Sequence, residues 1–189
     1  MTQEQIIEGC RRGDSDARRA LYQHYAPLMF GVVRRYVTDR SVAEDLLHDG
    51  FVTLYTKIGE WRGEGPFDAW CRRIFVNVAL SFLRKRNGLV AEEDIGDMPP
   101  GKVGGVEPTA LADLSASDLR RAIEELPDGY RTVLNLYAIE GYSHAEIGQM
   151  LGISEPTSRS QYIRAKARLA ERLGIKQKEK QQHDRNEEG

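Results

Sequence analysis

Tyr142–Gly174 reads YSHAEIGQMLGISEPTSRSQYIRAKARLAERLG. Ser143 followed three residues later by Glu146 fits a capping box, in which the hydroxyl accepts an orphan backbone N–H and the carboxylate reaches back. A short helix over His144 to Leu151 follows, with Ala145, Ile147 and Leu151 inside. Gly152 permits a tight turn, Ser154 caps a longer helix over Glu155 to Leu173, and Gly174 ends it. A short helix, a glycine turn and a longer basic helix predict a helix-turn-helix. On the last helix Ser158, Tyr162, Ala165 and Leu169 recur at helical spacing and face the core. Thr157, Arg159, Ser160, Ile163 and Arg164 then face outward, where arginine can donate to guanine in a major groove. Lys166 and Arg168 suit phosphates. The same helix sets Arg159, Arg164, Lys166, Arg168 and Arg172 against only Glu155 and Glu171. A hairpin with a merely solvated basic face is the plainer reading. The two caps around a glycine turn, combined with the charge asymmetry, favour DNA binding.

Upstream, Pro127 suits a helix start because its missing N–H would be unpaired there. That helix is predicted to run through Val133, Leu134, Leu136 and Tyr137 to about Glu140, where Gly141 stops it. Residues 87–115 break the pattern: they are rich in glycine and proline, and they set six acids against Lys102. They read as a flexible acidic linker.

A second helical block precedes this linker. Thr2 with Gln5 and Ser41 with Glu44 fit capping boxes. After Ser41, Leu46, Leu47, Phe51, Leu54, Tyr55 and Ile58 recur at helical spacing, and Phe67 to Arg86 forms another helix with Trp70, Ile74, Leu80 and Leu83 along one side. Between them, Glu60–Pro66 is a loop with two glycines and a proline. Exposed aromatics beside arginine, such as Trp61 and Phe67 near Arg62, Arg72 and Arg73, could stack on an unpaired base. Filling a helical core is the simpler role for these aromatics, and spacing alone favours it for Trp70. The expected architecture is all-α, with two small helical domains at 1–88 and 116–175, a linker at 89–115 and a disordered charged tail at 176–189.

Net charge is −2, which argues only weakly against nucleic acid, because distribution matters more than the sum. Cys10 and Cys71 form no CxxC, and the four histidines do not pair into metal spacings, so no cofactor or metal is expected. The N-terminus MTQEQIIEGCRRGDSDARR lacks the apolar core of a signal peptide. The most apolar stretch, Phe75 to Leu83, is too short to span a bilayer. A cytoplasmic protein without membrane insertion is expected. No nucleophile–base pair, phosphate loop or metal cluster suggests an enzyme.

In order along residues 5–175, the segments ALYQHYAPLMFGVVRRYV, AEDLLHDGFVTLY, WRGEGPFDAWCRRIFVNVALSFLRKR and LPDGYRTVLNLYAIEGYSHAEIGQMLGISEPTSRSQYIRAKARL resemble the extracytoplasmic-function group of the sigma-70 family. The resemblance implies a region 2-like bundle, a region 4-like helix-turn-helix, and an alternative sigma factor that initiates transcription. AEDLLHDGFVTLY resembles the surface that docks on the largest catalytic subunit of core RNA polymerase, which assigns Asp45, Leu46, His48, Asp49, Phe51 and Tyr55 to that contact. The Trp61–Pro66 loop and the following helix resemble the element that opens and reads the −10 promoter element, with Trp61, Arg62 and Asn77 at bases and Arg73 and Arg84 near phosphates. Pro156–Lys166 resembles the −35 reader, with Thr157, Arg159, Ser160, Ile163 and Arg164 toward bases, and Arg131 would suit a phosphate.

The sequence departs from the family pattern at several places. His48 stands where glutamine is usual, and Pro156 where glycine is common. Gln161 stands where a basic residue is frequent, and Ser158 and Tyr162 replace aliphatic residues, so an unusual −35 preference is expected, since glutamine favours adenine where arginine favours guanine. Promoter DNA, core polymerase and an anti-sigma factor are the implied partners of a chain monomeric when free. A stand-alone helix-turn-helix regulator would need a dimerisation surface to read paired half-sites, and no heptad seam is present. A small helical hydrolase has no constellation to support it, and a scaffold using only AEDLLHDGF leaves the basic helix unexplained.

Overall fold

The computed structural model describes residues 1–87 and 116–174. The expected linker at 89–115 and the expected tail at 176–189 lie outside the described residues. The chain divides into two compact units, Met1–Gly88 and Leu89–Gly189. The described residues form α-helices, short 3-10 and π turns and loops, with no strand among them.

The first unit holds α1 (Gln3–Arg11), α2 (Ser15–Arg34), α3 (Arg40–Lys57), a 3-10 turn (Ile58–Glu60) and α4 (Phe67–Asn87). The capping box at Thr2 and Gln5 forms as the spacing predicts. The one at Ser41 does not. Asp39 caps α3 instead, its carboxylate accepting from Val42 N at 3.1 Å, and Ser41 lies inside the helix. A carboxylate two residues upstream supplies both the acceptor and a charge that suits the positive helix end, so the hydroxyl has no orphan N–H left to serve.

Leu21, Val33, Tyr36, Leu54, Phe75, Leu80 and Leu83 are fully buried in this unit. Helices α3 and α4 approach closely where Gly50 faces the ring of Phe75. A Cβ at residue 50 would lie 2.2 Å from Phe75 Cε1. Phe51 meets the same ring edge-on at 5.2 Å.

The second unit holds α5 (Ala116–Glu124), α6 (Asp128–Leu134), a π turn (Asn135–Ile139), α7 (His144–Leu151) and α8 (Glu155–Arg172). Leu126, Tyr130, Leu134 and Ala165 form a buried cluster, covered by Ile123, Tyr162 and Leu169. The single helix expected from Pro127 to Glu140 is interrupted: α6 ends at Leu134, and Glu140 N donates to Asn135 O at 2.9 Å, five residues back. Such a widened turn shifts the residues after it around the axis. Tyr137 is thereby turned onto His144, ring centroids 4.2 Å apart and nearly parallel. Gly141, with φ of 81°, then stops the chain where the sequence predicts.

Both tryptophans, Trp61 and Trp70, lie in the first unit, so their fluorescence follows that unit alone. Gly50→Ala should lower its stability by about 2 kcal/mol, because the buried Phe75 ring has no open side to move into. A urea titration followed by tryptophan emission checks this, and an unchanged midpoint would refute the close packing.

Candidate nucleic-acid and protein interfaces

The helix-turn-helix is built by its caps and one tight turn. Ser143 and Glu146 form the reciprocal box on α7. Gly152 takes φ of 71°, a left-handed conformation that disfavours side chains. Gly148 leaves room for the returning chain, since a Cβ there would lie 2.7 Å from Ile153 O. Ser154 then caps α8, accepting from Thr157 N at 3.1 Å, with Pro156 in the first turn.

The inward side of α8 follows the spacing. Ser158 and Ala165 are buried, while Tyr162 and Leu169 pack against the core. Ser158 replaces an apolar residue without penalty because its hydroxyl lies 2.9 Å from His144 Nδ1 on α7. On the other side, Pro156, Arg159, Ser160 and Ile163 fall at i, i+3, i+4 and i+7 and share one face. Pro156 and Arg159 are exposed, and Thr157, Ser160, Ile163, Arg164 and Lys166 are half-buried. Arg159 pairs with Glu155 one turn earlier, and that carboxylate raises the arginine's pKa. Lys166 Nζ sits 4.9 Å from the centre of the Tyr162 ring. Neither pairing is among the sequence expectations, although the i,i+4 spacing of Glu155 and Arg159 is a readable signal.

Two sequence expectations need correction here. Arg131 is only 3% exposed and does not face solvent. Its guanidinium turns back on the chain, donating to Glu124 O at 3.1 Å and Leu126 O at 2.8 Å and pairing with Asp128. It closes the α5–α6 turn, where carbonyls at a helix end need donors, and is not placed to meet a phosphate. Gln161 is 6% exposed, so its amide does not stand on the outward side of α8, and the unusual base preference drawn from it falls.

In the first unit, Asp45, His48 and Asp49 are exposed along α3, beside Val52 at 54% exposure. Leu46 and Phe51, at 5% and 2%, belong to the core instead. They shape the α3 surface from behind and do not offer side chains to a partner. Tyr55 is half-buried, with its hydroxyl donating to Arg18 O at 2.9 Å. A groove of about 530 Å³ runs between α3 and α4, with Asp49, Val52 and Lys57 on one wall and Asn77, Val78 and Lys85 on the other.

Arg73, Asn77 and Arg84 are exposed on α4 at spacings of one and two turns, and therefore share a face. Arg62 is exposed in the preceding loop, where Gly63 and Gly65 take φ of 78° and 88°. Trp61 is half-buried, edge-on to Phe67 with centroids 5.2 Å apart. Phe67 is buried and stacks on Trp70, which is half-buried. The aromatics therefore divide: Phe67 fills the core, and the two tryptophans are half-buried. Among the described residues no group of three or more His, Cys, Asp or Glu could hold a metal ion. No described helix is long and apolar enough to cross a membrane.

Residues 21–88 match the family model for sigma-70 region 2, and residues 116–169 match that for sigma-70 region 4. The RNA polymerase sigma-H factor of Pseudomonas aeruginosa is 29% identical over 185 residues, covering 92% of this chain and 96% of that one. The ECF RNA polymerase sigma-E factor of Haemophilus influenzae is 28% identical over 182 residues, covering 92% and 96%. The chain belongs to the extracytoplasmic-function group of the sigma-70 family. Its fold is shared with the sigma factor RpoE of Bartonella quintana, solved in complex with the anti-sigma factor NepR. That likeness has a TM-score of 0.52 at 21% identity, over 84% of this chain and 98% of the other. In this sigma factor the α3 face and the α4 face lie within the region 2 match, and α7 and the outward side of α8 lie within the region 4 match.

Two measurements follow for the second unit of this sigma factor. Arg131→Met should destabilise it by about 3 kcal/mol, since the change strands two carbonyls and a carboxylate. The loss should appear in circular dichroism and not in tryptophan emission, while the salt dependence of DNA binding stays unchanged. His144 is held below its ordinary pKa by burial and by Arg159, against a smaller opposing effect of Glu155. The folded form thus binds fewer protons than the unfolded one, so this stability is present above pH 6.5 and is lost as pH falls through the depressed pKa. The unfolding midpoint of the second unit should fall on acidification in that window, and His144→Gln should flatten the decline.

Proposed function

We propose that this chain is an alternative sigma factor whose two units divide the promoter between them. The α3 face of Asp45, His48 and Asp49, with Val52 beside them, docks on core RNA polymerase. Arg62, Trp61 and the α4 face of Arg73, Asn77 and Arg84 meet the −10 element, and the outward side of α8 reads the −35 element. Stacking a displaced −10 base on an aromatic ring offsets part of its unstacking cost and so nucleates melting. Polymerase performs the chemistry. The observation that carries this reading is the outward row Pro156, Arg159, Ser160 and Ile163 on a capped helix of a helix-turn-helix, joined in one chain to a region 2 unit whose cationic α4 face carries Asn77.

The same proposal places the chain in the cytoplasm, monomeric when free, with residues 89–115 linking domains 1–88 and 116–175. It also includes control by an anti-sigma factor. The Bartonella quintana protein that shares the fold was solved with one. A pull-down from unstressed cells that recovers polymerase alone would count against that partner.

Run-off transcription with purified core polymerase, with and without the chain, on a library of promoter fragments tests the central reading. Initiation at discrete sites only in its presence is expected. Arg159→Ala should weaken use of matching promoters by about 10- to 100-fold, with the loss confined to one −35 position. Lys166→Ala should weaken all promoters alike and reduce the salt slope by about one. No initiation together with no core binding would overturn the proposal.

A further inference from the structure

Arg11, near the end of α1, lies far in sequence from every residue assigned above to DNA. Its guanidinium nevertheless reaches the entrance of the Trp61–Pro66 loop. Nη2 donates to Trp61 O, and Nε lies 3.5 Å from Ile58 O. Ile58 opens the 3-10 turn Ile58–Glu60 and Trp61 directly follows it. The same group lies over the Trp61 ring, 5.9 Å from its centre, and Glu8 Oε2 stands 3.5 Å from Nη1 behind it. The indole thus has two neighbours, the Arg11 guanidinium over its ring and Phe67 edge-on at 5.2 Å.

We propose that Arg11 is a positioning residue for −10 recognition, fixing the carbonyl and ring of Trp61 so that Trp61 and the adjoining Arg62 are presented to the promoter in one geometry. The inference rests on the −10 role proposed above for that loop. The chemistry calls for arginine. A planar fork can donate to two carbonyls while its face lies on an aromatic ring, whereas a lysine ammonium acts as a point charge and cannot span both. Beyond Trp61 the loop contains Gly63 and Gly65 in left-handed conformations, and glycine leaves a chain with the most conformational freedom to lose. A side chain that anchors the start of such a loop lowers the ordering cost met when a base is bound.

The test uses holoenzyme assembled from core polymerase and the full chain. Initiation is compared on the best promoter, on one with its most sensitive −10 base replaced, and on one with its most sensitive −35 base replaced. In the wild type each replacement should reduce initiation by about tenfold or more. With Arg11→Ala the −10 penalty should shrink by about fivefold, while the −35 penalty and core binding stay within about twofold. Arg11→Lys should fall between, and it carries the comparison if the alanine variant does not fold. An unchanged −10 penalty, or −10 and −35 penalties that shrink together, would overturn the positioning role. A wild type that shows no −10 dependence at all would instead remove the reading on which this one rests, and both would fall.

Discussion

The contact on which the first unit depends is the one between Gly50 and Phe75. Because residue 50 has no side chain, the Phe75 ring lies against the backbone of α3, and Phe51 closes over its edge. That approach fixes α3 and α4 relative to each other and so defines both functional faces of the unit. The acidic side of α3 and the cationic side of α4 carry opposite charge on neighbouring helices, and the groove between them brings Asp49 and Asn77 into one lining. Packing close enough to lock this geometry leaves no slack, which is the usual condition of a protein interior.

The second unit solves a different problem. Its helices α5, α6 and α7 are short, at nine, seven and eight residues, and short helices leave a large share of their backbone groups unpaired. Arg131 answers at the α5–α6 turn, Ser143 and Glu146 at the start of α7, and Ser154 at the start of α8. The bond between His144 and Ser158 then ties the two helices of the helix-turn-helix across their seam. Polar groups thus hold this unit together alongside its apolar cluster.

The pattern of what the sequence disclosed follows from these two modes. Local signals were legible. The caps at Thr2, Ser143 and Ser154, the turn at Gly152 and the inward row Ser158, Tyr162, Ala165 and Leu169 all depend on residues within a few positions of one another. Ser41 misled because a neighbouring carboxylate, Asp39, competed for the same task. Leu46 and Phe51 were legible as core from their spacing, and only the family resemblance moved them to the surface. Arg131 and Gln161 were not legible. Their residue types suggest solvent, and their burial depends on a turn and a helix packing that no local pattern encodes. Arg11 was hidden for the same reason, since its partners lie about fifty residues away.

An acidic chain can still serve as a DNA reader, because affinity depends on the charges within a Debye length of the phosphates and not on the net sum. The α8 face is nonetheless partly self-neutralised. Arg159 is held by Glu155, and Lys166 is drawn over Tyr162. On the proposed −35 reading, Arg159 exchanges its carboxylate for a guanine edge to reach a base, so the wrong base leaves it with no gain over the free state. Such an arrangement lowers non-specific attraction more than specific binding. It suits a protein that gains its grip on DNA only when a polymerase holds its two units against two promoter elements at once, each adding to the other through effective concentration.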